Sequence, residues 1–189
     1  HAESISERKY NENLSFNKVG FNFRLGEIES AIGIEQLKKL KSIIKKNQLV
    51  AKKLDNGLSE LSGLNTPKVR KGATHVYYVY PLLIDKKKCG FTKYKLFKFL
   101  RSHGIPVSLK YVNLHRLHIL NKKNKKNTLP WSLVKNKYIY KKGDCPIAED
   151  YQDNKYIAIN MCIYNYTNDN LSYIIEKFKM FWKNNAKYN

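Results

Sequence analysis

The sequence predicts an α+β fold, a long helix followed by a small sheet flanked by helices. Three observations carry that prediction. Apolar residues recur at spacings of three and four over 26–61, as they do on a helix with one apolar face. Three short runs, 76–84, 106–112 and 156–161, read as strands because they are β-branched and aromatic or alternate in polarity. Helical stripes separate and follow these runs, so the predicted order is α, β, α, β, short α, β, α, without an internal repeat.

The elements can be justified in turn. Gly26 suits the N-cap of the long helix, and Glu27 and Glu29 stand in its first turn, where carboxylates complement the helix dipole. Ile28, Ile32, Leu40, Ile44, Leu54 and Leu58 belong to its apolar stripe, and Gly63 and Pro67 stop it. The strand at 76–84 lies between Gly72 and Cys89-Gly90. Thr92 caps a second helix bearing Tyr94, Leu96, Phe97 and Leu100, which closes at His103-Gly104 with Pro106 just beyond. A second strand is predicted at 106–112. The stretch 113–142 mixes lysine-asparagine clusters with Leu129-Pro130-Trp131 and has no clean period, so it is predicted as a long loop. Pro146 opens a short helix over 146–151, and a third strand follows at 156–161. Thr167 caps a last helix whose stripe is Leu171, Ile174, Ile175, Phe178, Phe181 and Trp182.

Composition narrows the class. The 189 residues are 42% hydrophobic and 27% charged, which suits one main core and excludes wholesale disorder. The formal charge of +21 raises nucleic acid or an anionic membrane surface as a partner. However, only Arg8, Arg24, Arg70, Arg101 and Arg116 are arginines, whereas phosphate and base recognition favours the arginine fork. Most of the charge is therefore read as a solvated face. Cys89, Cys145 and Cys162 are odd in number and widely spaced, which fits a reducing cytoplasm rather than a disulfide framework or zinc knuckle. The longest apolar stretch, 76–84, is broken by Pro81 and is far short of a membrane span. The start at His1 suggests that an upstream part is missing.

Few residues announce chemistry by themselves. His115 and His118 are one turn apart if helical, yet no third ligand stands nearby in sequence, so a loop pair touching ligand or solvent is the better reading. The cysteines lack a neighbouring base and are assigned no role. Neither a P-loop nor a Gly-x-Gly-x-x-Gly pattern occurs. In Gly20-Phe21-Asn22-Phe23-Arg24-Leu25-Gly26, a polar Asn and a lone Arg alternate with aromatic residues just before the long helix. Such an Asn can donate its amide to an anion near the helix start, and Arg24 can pair with a carboxylate.

That segment resembles the Gly-Tyr-Asn-Tyr-Arg stretch of the DegT/DnrJ/StrS sugar aminotransferases. The resemblance continues in order through Ala31-Ile32-Gly33-Ile34-Glu35-Gln36-Leu37, His75-Val76-Tyr77-Tyr78-Val79-Tyr80-Pro81, Gly104-Ile105-Pro106-Val107, the stretch from Tyr111 to His115, and Gly143-Asp144-Cys145-Pro146-Ile147-Ala148-Glu149. It spans about residues 20–182 but corresponds to the C-terminal half of such an enzyme. It implies the small C-terminal domain of the pyridoxal phosphate-dependent transferase fold (fold type I). Residues 1–25 would be a lead-in from a missing large domain, 26–62 a long interdomain helix, and 63–189 the small α+β domain.

The resemblance also implies function. The intact enzyme would move an amino group from glutamate or glutamine to a keto sugar, a nucleotide-linked sugar or a cyclic polyol ketone, as a homodimer with a shared active site. Its cofactor would be pyridoxal 5'-phosphate. Asn22 would contact the cofactor phosphate of the neighbouring subunit, and Lys110, Tyr111 and His115 would line the sugar side. The attachment lysine belongs to the preceding domain, so this chain alone would be inactive. Two other classes stay open here: a non-catalytic remnant that keeps the fold and binds only a partner, and a basic nucleic-acid-binding or membrane-surface module.

Overall fold

A computed structural model of the chain describes residues 24–109, 111–117 and 140–186. It forms two compact units, one ending at Ile43 and the other beginning at Ile44. Helix α1 (Glu27–Leu58) is continuous through the boundary. In the first unit the helix opens as predicted, the Gly26 carbonyl accepting the Ser30 N–H at 3.0 Å. There its apolar residues Ile28, Ile32 and Leu37 are exposed.

The second unit contains the core. Strands β1 (Leu64–Asn65), β2 (Val79–Ile84), β3 (Val107–Ser108) and β4 (Tyr156–Asn160) form a sheet in the order β1-β2-β4-β3, every pair antiparallel. Along β2, Tyr80, Leu82 and Ile84 are fully buried while Val79, Pro81 and Leu83 are half-buried. That alternation gives the sheet one face packed on the core and one more open. Ile157 and Ile159 of β4 join the core cluster.

Helices cover the core face. The C-terminal half of α1 contributes Val50, Ala51, Leu54 and Leu58, α3 (Lys93–Ser102) contributes Leu96 and Leu100, and α5 (Asn168–Asn185) contributes Phe178, Phe181 and Trp182. α1 and α5 approach so closely that a Cβ on Gly57 would lie 2.5 Å from the Ile175 side chain. The Trp182 indole donates to the Ser62 carbonyl at 2.9 Å, and the Tyr80 hydroxyl donates to Asp55 at 2.5 Å. Both caps foreseen in the sequence form: Thr92 accepts from the Lys95 N–H, and Thr167 and Asn170 make a reciprocal capping box.

Several elements differ from the sequence expectations. The first predicted strand begins at Val79 rather than residue 76, because Tyr77 takes a left-handed φ of 50°. Asn47 of α1 donates to the carbonyls of Val76 and Tyr77, and Gln48 to that of His75, so helix side chains satisfy backbone groups that a ladder would otherwise take. The strand predicted over 106–112 shrinks to Val107–Ser108, paired with Ile159 and Ala158 alone. The helix predicted over 146–151 is α4 (Pro146–Glu149), continued by a π-helical turn (Asp150–Lys155) that runs directly into β4. The long helix ends at Leu58, earlier than the periodicity suggests. Strand β1 and the four-residue helix α2 (Lys86–Cys89) have no counterpart in the predicted order. Within the predicted loop, Leu114–Arg116 forms a 3-10 turn, and residues 118–139 lie outside the described residues.

Candidate functional site

Residues 111–117, which follow β3 in the chain, meet the π-helical turn. Asp153 in that turn fixes this segment, accepting from the Asn113 amide and the Arg116 guanidinium, both at 2.9 Å. Gln152 donates to the Leu109 carbonyl at 3.4 Å, and its own carbonyl accepts from Lys93 Nζ. Lys93 is 1% exposed, and burial lowers its pKa, with Asp153 opposing the shift. These groups surround an open cleft of about 380 Å³ whose lining includes Lys93, Tyr94, Tyr111, Asn113, Arg116 and Asp153.

A second cluster joins the far ends of the loop. Glu149 Oε1 accepts from His115 Nε2 and from the Gly143 N–H, each at 2.8 Å, with the Glu and His side chains both buried. The Gly143 N–H holds the carboxyl below the usual range; burial works against this, and His115 adds to it. The pair bridges residues 34 apart in sequence and so ties the segment carrying Tyr111 to the end of α4.

The sequence-predicted residues distribute unevenly. Tyr111 is half-exposed and lines the cleft, its ring edge-on to Tyr156 with centroids 5.5 Å apart. His115 is buried and bonded to Glu149, in contrast to the loop histidine in contact with ligand or solvent that the sequence suggested. It is not among the residues lining that cleft. Asn22, Lys110 and His118 lie outside the described residues. Asp153, Lys93 and Tyr156 were not foreseen. Glu149 stood in a quoted motif without a role, whereas nothing in the local pattern marks Lys93 or Asp153. Among the described residues no group of three His, Cys, Asp or Glu is placed to hold a metal, and no helix is long and apolar enough to cross a membrane. Cys89, Cys145 and Cys162 are free.

The described residues do not by themselves form a cradle for a pyridoxal phosphate. Their deeply buried lysine, Lys93, is engaged by a backbone carbonyl.

Comparisons with known proteins agree with the resemblance. The model of the DegT/DnrJ/EryC1/StrS aminotransferase family matches residues 1–179. Among curated proteins, the uncharacterized protein MJ1066 of Methanocaldococcus jannaschii is 31% identical over 132 residues, 70% of this chain and 31% of its own length. The spore coat polysaccharide biosynthesis protein SpsC of Bacillus subtilis is 26% identical over 133 residues, again 70% of this chain and 31% of its own length. The chain thus spans about a third of the length of these relatives. Among solved structures, S. venezuelae DesV superposes with a TM-score of 0.67 at 17% identity, covering 97% of this chain and 42% of that one, which supports the fold.

Proposed function

Since the chain belongs to the DegT/DnrJ/EryC1/StrS aminotransferase family, we propose that it is the C-terminal part of a pyridoxal phosphate-dependent aminotransferase that delivers an amino group to a keto sugar. The match over residues 1–179 is the observation that carries this reading. The acceptor is a keto sugar, a nucleotide-linked sugar or a cyclic polyol ketone, the donor is glutamate or glutamine, and the enzyme works in the cytoplasm as a homodimer with a shared site.

The bound cofactor supplies the electron sink for amino transfer. This chain supplies binding and orientation. Asn22 would donate its amide to the cofactor phosphate, held mainly by the other subunit. Lys110, Tyr111 and His115 form the sugar side, with distinct tasks. Tyr111 presents a half-exposed ring to the cleft, a surface suited to the C–H face of a sugar ring. His115 acts as a positioning residue, because its bond to Glu149 fixes the segment that carries Tyr111. Asp153 supports the same segment through Asn113 and Arg116.

The test compares this chain alone with the protein in which it follows a lysine-bearing large domain. Only the latter should take up stoichiometric cofactor, seen in the visible spectrum, and convert a UDP-linked 4-keto-6-deoxyhexose with glutamate. Turnover by the isolated chain, or none by the joined protein with any keto sugar or polyol ketone, would refute the reading.

A further inference from the structure

Lys93 stands where local physics disfavours a cation. It is the first residue of α3, where the helix dipole is positive, and its side chain is buried, which strips an ammonium of its hydration. Helix formation does not require it, since Thr92 already caps α3 by accepting from the Lys95 N–H. The ammonium is instead used for binding: Nζ donates to the Gln152 carbonyl and lies 5.1 Å from the centroid of the Tyr94 ring. Gln152 belongs to the π-helical turn Asp150–Lys155, an irregular form that recurs at functional sites. From that turn, attachments reach the chain on either side of Tyr111. Upstream, the Gln152 amide donates to the Leu109 carbonyl at 3.4 Å; downstream, Asp153 accepts from Asn113 and Arg116, both at 2.9 Å. Lys93, Tyr111, Gln152 and Asp153 all line the same cleft.

We propose that Lys93 is a positioning residue of the sugar site, holding the π-helical turn on α3 through the Gln152 carbonyl so that the turn fixes the backbone that presents Tyr111. The assignment rests on the aminotransferase reading and deepens it. Stability alone is a poor reason for this residue, because an apolar side chain of similar length fills a buried site at a helix start without the desolvation of a charge. The charge strengthens the bond to the turn, as hydrogen bonds from ionised donors are about twice as strong as neutral ones. Asp153 serves twice, holding Asn113 and Arg116 and favouring the charged form of Lys93 against burial. Because Tyr111 faces the sugar, a displaced Tyr111 is felt by the keto substrate and not by the amino donor.

Lys93→Met keeps the side chain's length and removes the ammonium. In the protein carrying this chain with its large domain, it should raise KM for a UDP-linked 4-keto-6-deoxyhexose by roughly threefold to tenfold, the effect of one hydrogen bond, with kcat and the glutamate half-reaction unchanged. The urea midpoint should be unchanged or higher, because a buried charge has gone. Gln152→Met should raise the same KM, and the double variant should lie close to the worse single one, since both residues act through one turn. An unchanged sugar KM, an equal loss in both half-reactions, a fall in the urea midpoint, or additive effects in the double variant would overturn the assignment. If the unsubstituted protein transfers no amino group to any keto sugar or polyol ketone, the aminotransferase reading falls separately. Hydrogen exchange then decides for Lys93. The amides of Arg116 and Leu117, bonded to the Asn113 and Leu114 carbonyls, should exchange faster in Lys93→Met while those of α5 stay unchanged. Equal exchange by the two proteins, or faster exchange throughout, overturns it.

Discussion

Two glycines with nearly the same backbone conformation allow strain and crowding to be separated. Gly63 has φ +77° and Gly72 has φ +79°, both in the left-handed region where a Cβ costs about 1–2 kcal/mol. A Gly→Ala change also removes unfolded-state freedom, which returns about 0.4–1 kcal/mol. Gly72→Ala should therefore cost only about 1 kcal/mol, since a Cβ there meets nothing within 4 Å. At Gly63 the added Cβ would lie 2.9 Å from the Cys89 backbone nitrogen and 3.1 Å from the Asp85 carbonyl oxygen. These are backbone atoms held in place by the Asp85 N–H bond to the Gly63 carbonyl at 2.7 Å, so they cannot swing aside. Crowding of this kind adds about 1–3 kcal/mol, giving about 2–4 kcal/mol for Gly63→Ala. Urea unfolding of both variants, followed by tryptophan fluorescence and circular dichroism, measures the difference. Equal losses would refute the claim that the turn joining α1 to β1 is closed by contact with α2 and its cap.

Other outcomes follow from the proposed function, the structure and the charge. If the proposed function holds, Asn22→Ala in the dimeric enzyme should weaken cofactor affinity by about 1.5–3 kcal/mol, the loss of one hydrogen bond to a charged group, with little change in dimerisation at saturating cofactor; an unchanged titration curve removes Asn22 from the site. Because the Glu149 carboxyl is held below its ordinary value of 4.5, its contribution is complete above that pH and is lost as pH falls through the lowered folded value. Unfolding curves from about pH 6 to about pH 3 should then show wild type losing more stability than Glu149→Gln, and parallel curves would contradict this. The +21 charge should give only weak binding to duplex DNA, abolished between roughly 50 and 200 mM salt; sequence-selective binding at physiological salt, read by fluorescence anisotropy, would argue for a nucleic-acid partner instead.

The elements read well from local sequence are those whose signals are local. Thr92 and Thr167 cap helices because their hydroxyls reach an N–H three residues on, and the apolar stripe of α5 follows from helical geometry alone. The order of major elements and the run of motifs from Gly20 to Glu149 were likewise present in one dimension. The limits of the strands were not. Whether Val76 to Tyr78 joins β2 depends on Asn47, some 30 residues earlier, capturing the carbonyls of Val76 and Tyr77 while Gln48 holds that of His75. The strand order β1-β2-β4-β3 places β4 between two earlier strands, a matter of long-range pairing that periodicity cannot convey. The site shows the same division. Tyr111 and His115 were legible as members of a motif. That Glu149 binds His115, that Asp153 gathers Asn113 and Arg116, and that Lys93 reaches the Gln152 carbonyl are facts of proximity between distant segments. Hydrogen bonding and desolvation act through space, so only the folded arrangement determines which polar groups are paired and which segments they hold.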